Sequence, residues 1–372
     1  MCEESGKATY YEQKTAPRAP DCPTTSNNYA GAVVYPPSTK VRATIKKKSL
    51  TMSLSKSEAL RFAKLCISDD VTSVKTSPIA RLWGGMGVIY RVSTKEGDFV
   101  LKYMDPRVPS QPSIGDQRKL DSYVVEAAFY KNYSQSLLEK GVGLARCLHV
   151  EQEGNKTIIC LSVLENAPND DYYELTIEWL AHFHATTWQQ DCPGLQEVGT
   201  YWHLGTRPQE WQGMSNSNKG LEGRLKRAAP AIDLWLKDSP IQSWVHGDAK
   251  DANVMWNGNG VAMCDFQYVG RGCPLQDLCY FLCSNGVADD EQYVDLYYDK
   301  LCSKLLDVAP PNRHDFDVAL ELSYCDYLRF MYGWGQWGSD ITKRVMKTLD
   351  KIDGGTNLGS EEAYADAIRD TF

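Results

Sequence analysis

Apolar residues along this chain follow two periods in turn, and the switch between them divides it. Before about residue 165 the apolar stretches are short and β-prone. Residues 81–93 hold two of them around glycines, and Phe99-Val-Leu-Lys-Tyr-Met104 reads as a strand entered through the turn Lys95-Glu-Gly-Asp98. Residues 146–152 and 156–164 pair as a hairpin across Glu153-Gly-Asn155. One helix opens at the capping-box pattern Ser55-Lys-Ser-Glu58. A loop with Pro106, Pro109 and Pro112 precedes a second helix, 122–132, which extends toward the natural stop Gly141. Beyond Pro168 helical spacing takes over: Leu175, Trp179, Leu180, Phe183, His184, Thr187 and Trp188 share one face near 173–190. Residues 191–220 look like loop, and helices are expected at 221–237 and from about 290 onward. Between those helices one short β-hairpin is expected, 254–256 with 261–264, around the turn Asn257-Gly-Asn-Gly260. The expectation is an α+β protein. A tail, 1–48, precedes a lobe at 49–165 built on a mostly antiparallel sheet with one long helix; a larger, mainly helical lobe follows at 166–372.

Composition narrows this picture. Residues 1–48 are rich in Pro, Ser, Thr, Asn and Lys and end in Lys46-Lys47-Lys48, which reads as a mobile tail. The formal charge of −8 argues against a general nucleic-acid binder, which needs a basic face, while leaving room for a local basic cleft. The twelve cysteines form no CxxC pair and no zinc-spaced cluster with histidine. Cys160, Cys264, Cys279 and Cys283 sit in apolar runs, where a free thiol behaves as a small hydrophobe, so the reducing cytosol is the expected compartment. The first residues carry acids where a secretory signal needs a basic then apolar stretch, and no apolar run approaches a membrane span.

The chemistry gathers at the predicted hairpin. Folding about residues 257–260 sets Asn253, before the first strand, opposite Asp265, after the second, since paired strands lie about 5 Å apart. One amide oxygen and one carboxylate at the same rim suit Mg²⁺, which completes its shell with water and nucleotide phosphates. Asp248, on the loop entering the hairpin, can orient an alcohol and take its proton. Lys250 can meet charge on a transferring phosphoryl group. Lys102 shares an apolar strand face with Val100 and Met104 and therefore needs an anionic partner, for which Glu126 is placed in the following helix. Gly84-Gly-Met-Gly87 precedes that strand at the distance of a phosphate-covering turn, and an ordinary hairpin turn explains it equally well. No G-x-x-x-x-G-K-[ST] run is present, so a P-loop ATPase is not supported. His182 and His184 on their helix are expected to be hydrogen-bonded packing residues, and His246 to shape its loop.

The aromatic segment 324–337 admits two readings. It is either a packed helix face or an acceptor-pocket wall, with Tyr327, Trp334 and Trp337 around Asp326 as a counter-ion. Such a box suits a cationic amino alcohol through cation–π contacts, or a flat apolar alcohol such as a steroid.

The glycine turn, strand Lys102, helix Glu126, connector near 161–165, Asp248/Asn253 loop and Asp265, in this order over about residues 50–345, resemble the protein-kinase-like superfamily. His246-Gly-Asp248 is similar to its small-molecule branch, the aminoglycoside phosphotransferases and choline/ethanolamine kinases, which carry H-G-D where protein kinases carry H-R-D. Asp265-Phe-Gln267, Glu126-Ala-Ala-Phe-Tyr130, the run from Leu180 to Trp188 and the run from Gly272 to Leu282 look like the CHK-kinase-like, or ecdysteroid-kinase-like, group. The resemblance implies a bilobal protein-kinase-like fold, ATP and Mg²⁺ as cofactors, and phosphorylation of a small-molecule hydroxyl. It implies Asp248 as base and Asn253 and Asp265 as metal ligands. It sets Gly84, Gly85, Gly87, Lys102, Glu126, Leu164 and Glu165 around the nucleotide. Lys250 is closer to the protein-kinase catalytic loop than to this branch. The stretch 266–277 is too short for a long activation segment, which argues against a protein substrate, and Asp277 is expected to anchor the catalytic loop. A catalytically silent nucleotide-binding pseudokinase is the alternative, against which Lys102, Asp248, Asn253 and Asp265, all intact, count.

Overall fold

The structure, a computed structural model, describes residues 54–82, 85–106, 111–166, 172–217 and 220–372. The expected tail, Gly84 of the glycine turn, and Pro109 lie outside them. Helix α1 (Lys56–Cys66) starts on the expected capping box: Ser55 Oγ accepts from the Glu58 amide, and Glu58 Oε2 accepts from the Ser55 amide, both at 3.2 Å. Its Ala59, Phe62 and Ala63, at i, i+3 and i+4, bury against one face of a five-stranded sheet. The strands are β1 (Lys75–Arg81), β2 (Gly87–Ser93), β3 (Asp98–Met104), β4 (Cys147–Glu153) and β5 (Lys156–Leu161). They run antiparallel in the order β1-β2-β3-β5-β4. Edge strand β1 begins earlier than the glycine-flanked stretch expected from residue 81, and it accommodates Pro78 at a register shift, where a missing ladder donor does least harm.

Helix α2 (Ile114–Asn132) crosses the other face and continues after a kink as α3 (Ser134–Glu139), which ends before Gly141. It starts well before the expected residue 122. Ser113 and Asp116 form a second capping box directly after Pro112, so the chain expected to be loop is helical. That extra length carries Arg118 and Lys119 over the cleft between the lobes.

The second lobe holds α4 (Tyr173–Thr186), α5 (Pro208–Gly213) and α6 (Leu221–Asp238), then the short strands β6 (Ser243–Val245), β7 (Val254–Trp256), β8 (Val261–Met263) and β9 (Gly270–Gly272). It closes with α7 (Leu275–Ser284), α8 (Glu291–Lys304), α9 (Arg313–Trp334), α10 (Thr342–Asp353) and α11 (Glu361–Thr371). Strands β7 and β8 form the expected hairpin, and Gly258 takes the left-handed conformation its turn requires (φ 88°). Leu175, assigned to the buried face of α4, is exposed, while Trp179, Leu180, Phe183 and His184 are buried as expected. Helix α7, not anticipated, is buried from Leu275 to Cys283 on every side. One large core unites α2 with the second lobe, and a smaller one lies under α1. Among the described residues no helix is long and apolar enough to cross a membrane.

Candidate active site

Strand β6 delivers His246-Gly-Asp248 into the cleft, and a buried carboxylate fixes its path. Asp277, at the start of α7, accepts from the amides of His246 (2.5 Å) and Gly247 (3.0 Å). His184 Nε2 lies 3.2 Å from the same carboxylate and its Nδ1 lies 2.7 Å from Tyr297 Oη. His184 is thus a packing residue of this anchor, while His182 Nε2 lies 2.9 Å from the Lys140 carbonyl oxygen. Gly247 sits at φ 80°, and a Cβ there would lie 2.3 Å from the Tyr268 carbonyl oxygen and 2.7 Å from the Thr200 nitrogen. Gly247→Ala therefore costs about 1–2 kcal/mol for the left-handed backbone, with about 1–3 kcal/mol more for the overlap. Urea denaturation should show that loss of stability; an unchanged midpoint would mean the loop relaxes freely.

His246 Nδ1 accepts the Asp248 amide at 3.2 Å and Nε2 faces the Cys264 carbonyl at 3.0 Å. Those partners select the neutral tautomer protonated at Nε2, and burial pushes the imidazole below its usual value, against the pull of Asp277 and Asp248. Asp248 is buried and takes both oxygens to Lys250 Nζ, at 3.0 and 2.9 Å. Asn253 Nδ2 donates to the Asp248 carbonyl (2.8 Å) and carboxylate (3.2 Å). This leaves Asn253 Oδ1 without a hydrogen bond among the described residues.

The hairpin closes where the sequence places it. The Cys264 amide donates to the Asn253 carbonyl at 3.0 Å, setting Asp265 beside Asn253 at the rim. Asp265 has a positive φ of 70°, a strained setting for a residue with a side chain. Its Oδ1 accepts from Lys102 Nζ at 3.1 Å and Gln267 Nε2 at 2.5 Å. Burial raises its carboxyl pKa, but Lys102, Lys119 and Lys250 outweigh that and hold it well below the usual carboxylate range. Gln267 is itself held by Lys119 and by Ser122 Oγ at 3.1 Å, so α2 orients this carboxylate through an amide. Phe266 stacks on Phe129 of α2 (centroids 4.0 Å apart) and ties the same two elements by packing.

Lys102 reaches Glu126 with both carboxylate oxygens at 2.6 and 2.7 Å, and both side chains are buried. Burial alone would lower the ammonium pKa; Asp265 and Glu126 reverse this and keep Lys102 charged. Burial raises Glu126 against the pull of Lys102.

These groups line one cleft of about 560 Å³ between the lobes. Its inner half is apolar, with Ile79, Leu82, Ile89, Leu161 and Leu164. Glu165 does not join them: its side chain is 66% exposed, and its amide and carbonyl are both bonded to Trp256. Gly85 and Gly87 shape the β1–β2 turn, where Gly85 takes φ 71°, without lining the cleft. Of the four aromatic and acidic residues expected at the acceptor wall, only Trp334 reaches the cleft. Asp326 is fully buried and bonds Arg329 at 3.0 and 2.6 Å, because the two stand three apart on α9. Tyr327 packs against Trp202 and Tyr280 in the core, and Trp337 packs edge-on to Tyr280. The outer wall comes instead from Arg118, Lys119, Tyr201, Arg207, Tyr268 and Trp334.

A five-stranded lobe and a helical lobe, with a buried lysine–glutamate pair facing an Asp/Asn/Asp rim across one cleft, define a bilobal protein-kinase-like protein. The chain belongs to the phosphotransferase enzyme family APH, whose sequence model matches residues 79–311. No curated protein matches the sequence. Among solved structures, a choline kinase from Cryptosporidium parvum Iowa II is 11% identical with a TM-score of 0.48, over 85% of this chain and 94% of that one. An amicoumacin kinase solved with AMP-PNP and Ca²⁺ is 12% identical with a TM-score of 0.48, over 82% and 96%. A type VIII aminoglycoside-3'-phosphotransferase is 14% identical with a TM-score of 0.45, over 74% and 98%. The family assignment rests on the sequence match, not on these distant likenesses.

Proposed function

We propose that this phosphotransferase moves the γ-phosphoryl group of ATP to a hydroxyl of a small molecule, with Mg²⁺. The observation that carries this reading is the convergence of Asp248, Asn253, Asp265 and the Lys102–Glu126 pair on one cleft. The donor set fits a divalent ion that arrives with the nucleotide. Among the described residues no three His, Cys, Asp or Glu side chains are grouped to hold a metal alone. Asn253 Oδ1 and the ionised Asp265 offer two hard oxygens, which suits Mg²⁺ bridged to phosphates. Bound there, the ion would draw charge from the phosphate oxygens as the γ-group leaves.

The chain's own residues supply the rest. Lys102, fixed by Glu126, contacts the nucleotide phosphates. Asp248 accepts the hydrogen bond of the acceptor hydroxyl. As the acceptor oxygen bonds to the γ-phosphorus, the bond to the bridging oxygen breaks. ADP leaves with that electron pair, and the hydroxyl proton passes to Asp248. Lys250, now on Asp248, can turn toward the transferring group's charge. The ten described cysteines are unpaired, which supports the cytosol as compartment.

The test is coupled ADP release with full-length protein across amino alcohols, amino-glycosides, sugars, hydroxy acids and sterol alcohols. The expected result is phosphate on one class of alcohol, abolished by EDTA and restored by Mg²⁺. ATP binding without transfer to any alcohol or peptide would instead establish the pseudokinase.

A further inference from the structure

The outer half of the cleft is built around two guanidinium groups. Arg118, half-buried on α2, donates through Nη1 to the Thr206 carbonyl. Arg207, next in the chain to Thr206 and buried, donates from Nε to the Tyr201 carbonyl (2.8 Å) and from Nη1 to Glu210 (3.2 Å). The Nη2 groups of both arginines have no partner among the described residues, and both side chains line the cleft. Their adjacency has an electrostatic cost: burial lowers the Arg118 pKa, and the charge of Arg207 lowers it further. Lys119, one residue on, adds a third cation bonded only to the neutral Gln267 among the described side chains.

The aromatic surface nearby is already occupied by a cation. The Arg207 guanidinium lies 4.7 Å from the Trp334 ring, 5.0 Å from Tyr201 and 5.4 Å from Phe330. Asp326 is neutralised by Arg329 in the core, and the three cations of this wall, Arg118, Lys119 and Arg207, face the single carboxylate of Glu210. Like charges held this close in a half-buried cleft favour an oxyanion, which arginine grips through paired N–H donors.

We infer that the acceptor is an anionic alcohol: a hydroxyl compound whose carboxylate or phosphate is held by Arg118 and Arg207 while its hydroxyl meets Asp248. This rests on the phosphotransferase reading and sharpens it. The inner apolar wall and Lys102 serve the nucleotide, so the two arginines set the charge of the acceptor alone. Tyr201, Tyr268 and Trp334 line the same part of the cleft.

Four alcohols of matched shape test it: meta-hydroxymethyl benzoate, meta-hydroxymethylphenyl phosphate, the benzoate methyl ester, and meta-hydroxymethyl benzyltrimethylammonium. Their binding to the full chain is measured by calorimetry, with ATP binding and phosphoryl transfer followed in parallel. The anions should bind at least about tenfold tighter than the ester, with the ammonium compound weakest. The tighter of the two anions identifies the oxyanion. Arg118→Gln should flatten this order with the ATP dissociation constant unmoved, and Arg118→Lys should keep part of it. Ammonium or ester binding as tightly as the anions, no binding of either anion, or Arg118→Gln weakening ATP instead would each overturn the inference. Anion preference without transfer to any hydroxyl would leave the oxyanion site standing and remove the phosphotransferase reading.

Discussion

Asp248→Asn is expected to slow phosphoryl transfer by about 10²–10⁴-fold, the range a positioned general base supplies. The substitution keeps the volume and the backbone bonds that His246 and Asn253 make with residue 248. It removes the charge that Lys250 contacts and that would take the hydroxyl proton. The melting temperature and the ATP dissociation constant should therefore stay close to those of the native protein while kcat falls. Because Lys250 loses its counter-ion, Lys250→Met combined with Asp248→Asn separates the roles. If Lys250 meets the charge of the transferring group, the double variant should be slower than Asp248→Asn; if Lys250 only holds Asp248, the two should match. Stopped-flow ADP release on both proteins reads this directly, and full activity in Asp248→Asn would remove the base assignment whatever the fold.

How much of this could be read from the chain depends on whether each signal is local. The hairpin that joins Asn253 to Asp265 is specified by an Asn-Gly turn between two short apolar runs, and the structure forms it there. Lys102 announces itself as a cation on an apolar strand face, and its partner lies in the next helix. Helix α7 is less legible, since it is short and buried from Leu275 to Cys283, and a short apolar run is not told from a buried strand by its period. The start of α2 was hidden behind Pro112, although its Ser113–Asp116 capping box is a readable local pattern. The acceptor wall fails for a different reason. Arg118, the pair Tyr201 and Arg207, Tyr268 and Trp334 come from four separate stretches of the chain, and only tertiary packing brings them to one surface. Asp326 misleads because a carboxylate among aromatics resembles a cation site. Its neutralising partner Arg329, three residues on along the same helix, was visible all the while.

Lys102→Met carries the second large effect, and stability and activity should part company there. Removing the ammonium leaves Glu126 buried with no counter-charge and deprives Asp265 of its closest cation. Breaking a buried pair by deleting one partner costs about 3–5 kcal/mol. Replacing both partners with apolar residues of similar size is often neutral, so Lys102→Met with Glu126→Leu should recover most of that stability. It should not recover function. The double variant still lacks the charge proposed to meet the nucleotide phosphates, and losing one such contact lowers kcat by about 10²–10³-fold. Urea unfolding and ADP release on the native, single and double variants form one experiment. A stable single variant would mean the pair is not held as an ion pair in the core. A stable and active double variant would take Lys102 out of the chemistry and leave it as a structural cation. The expected pattern, stability restored and transfer still lost, would assign the burial of Lys102 to positioning a charge for the nucleotide, because an apolar pair would serve the fold equally well.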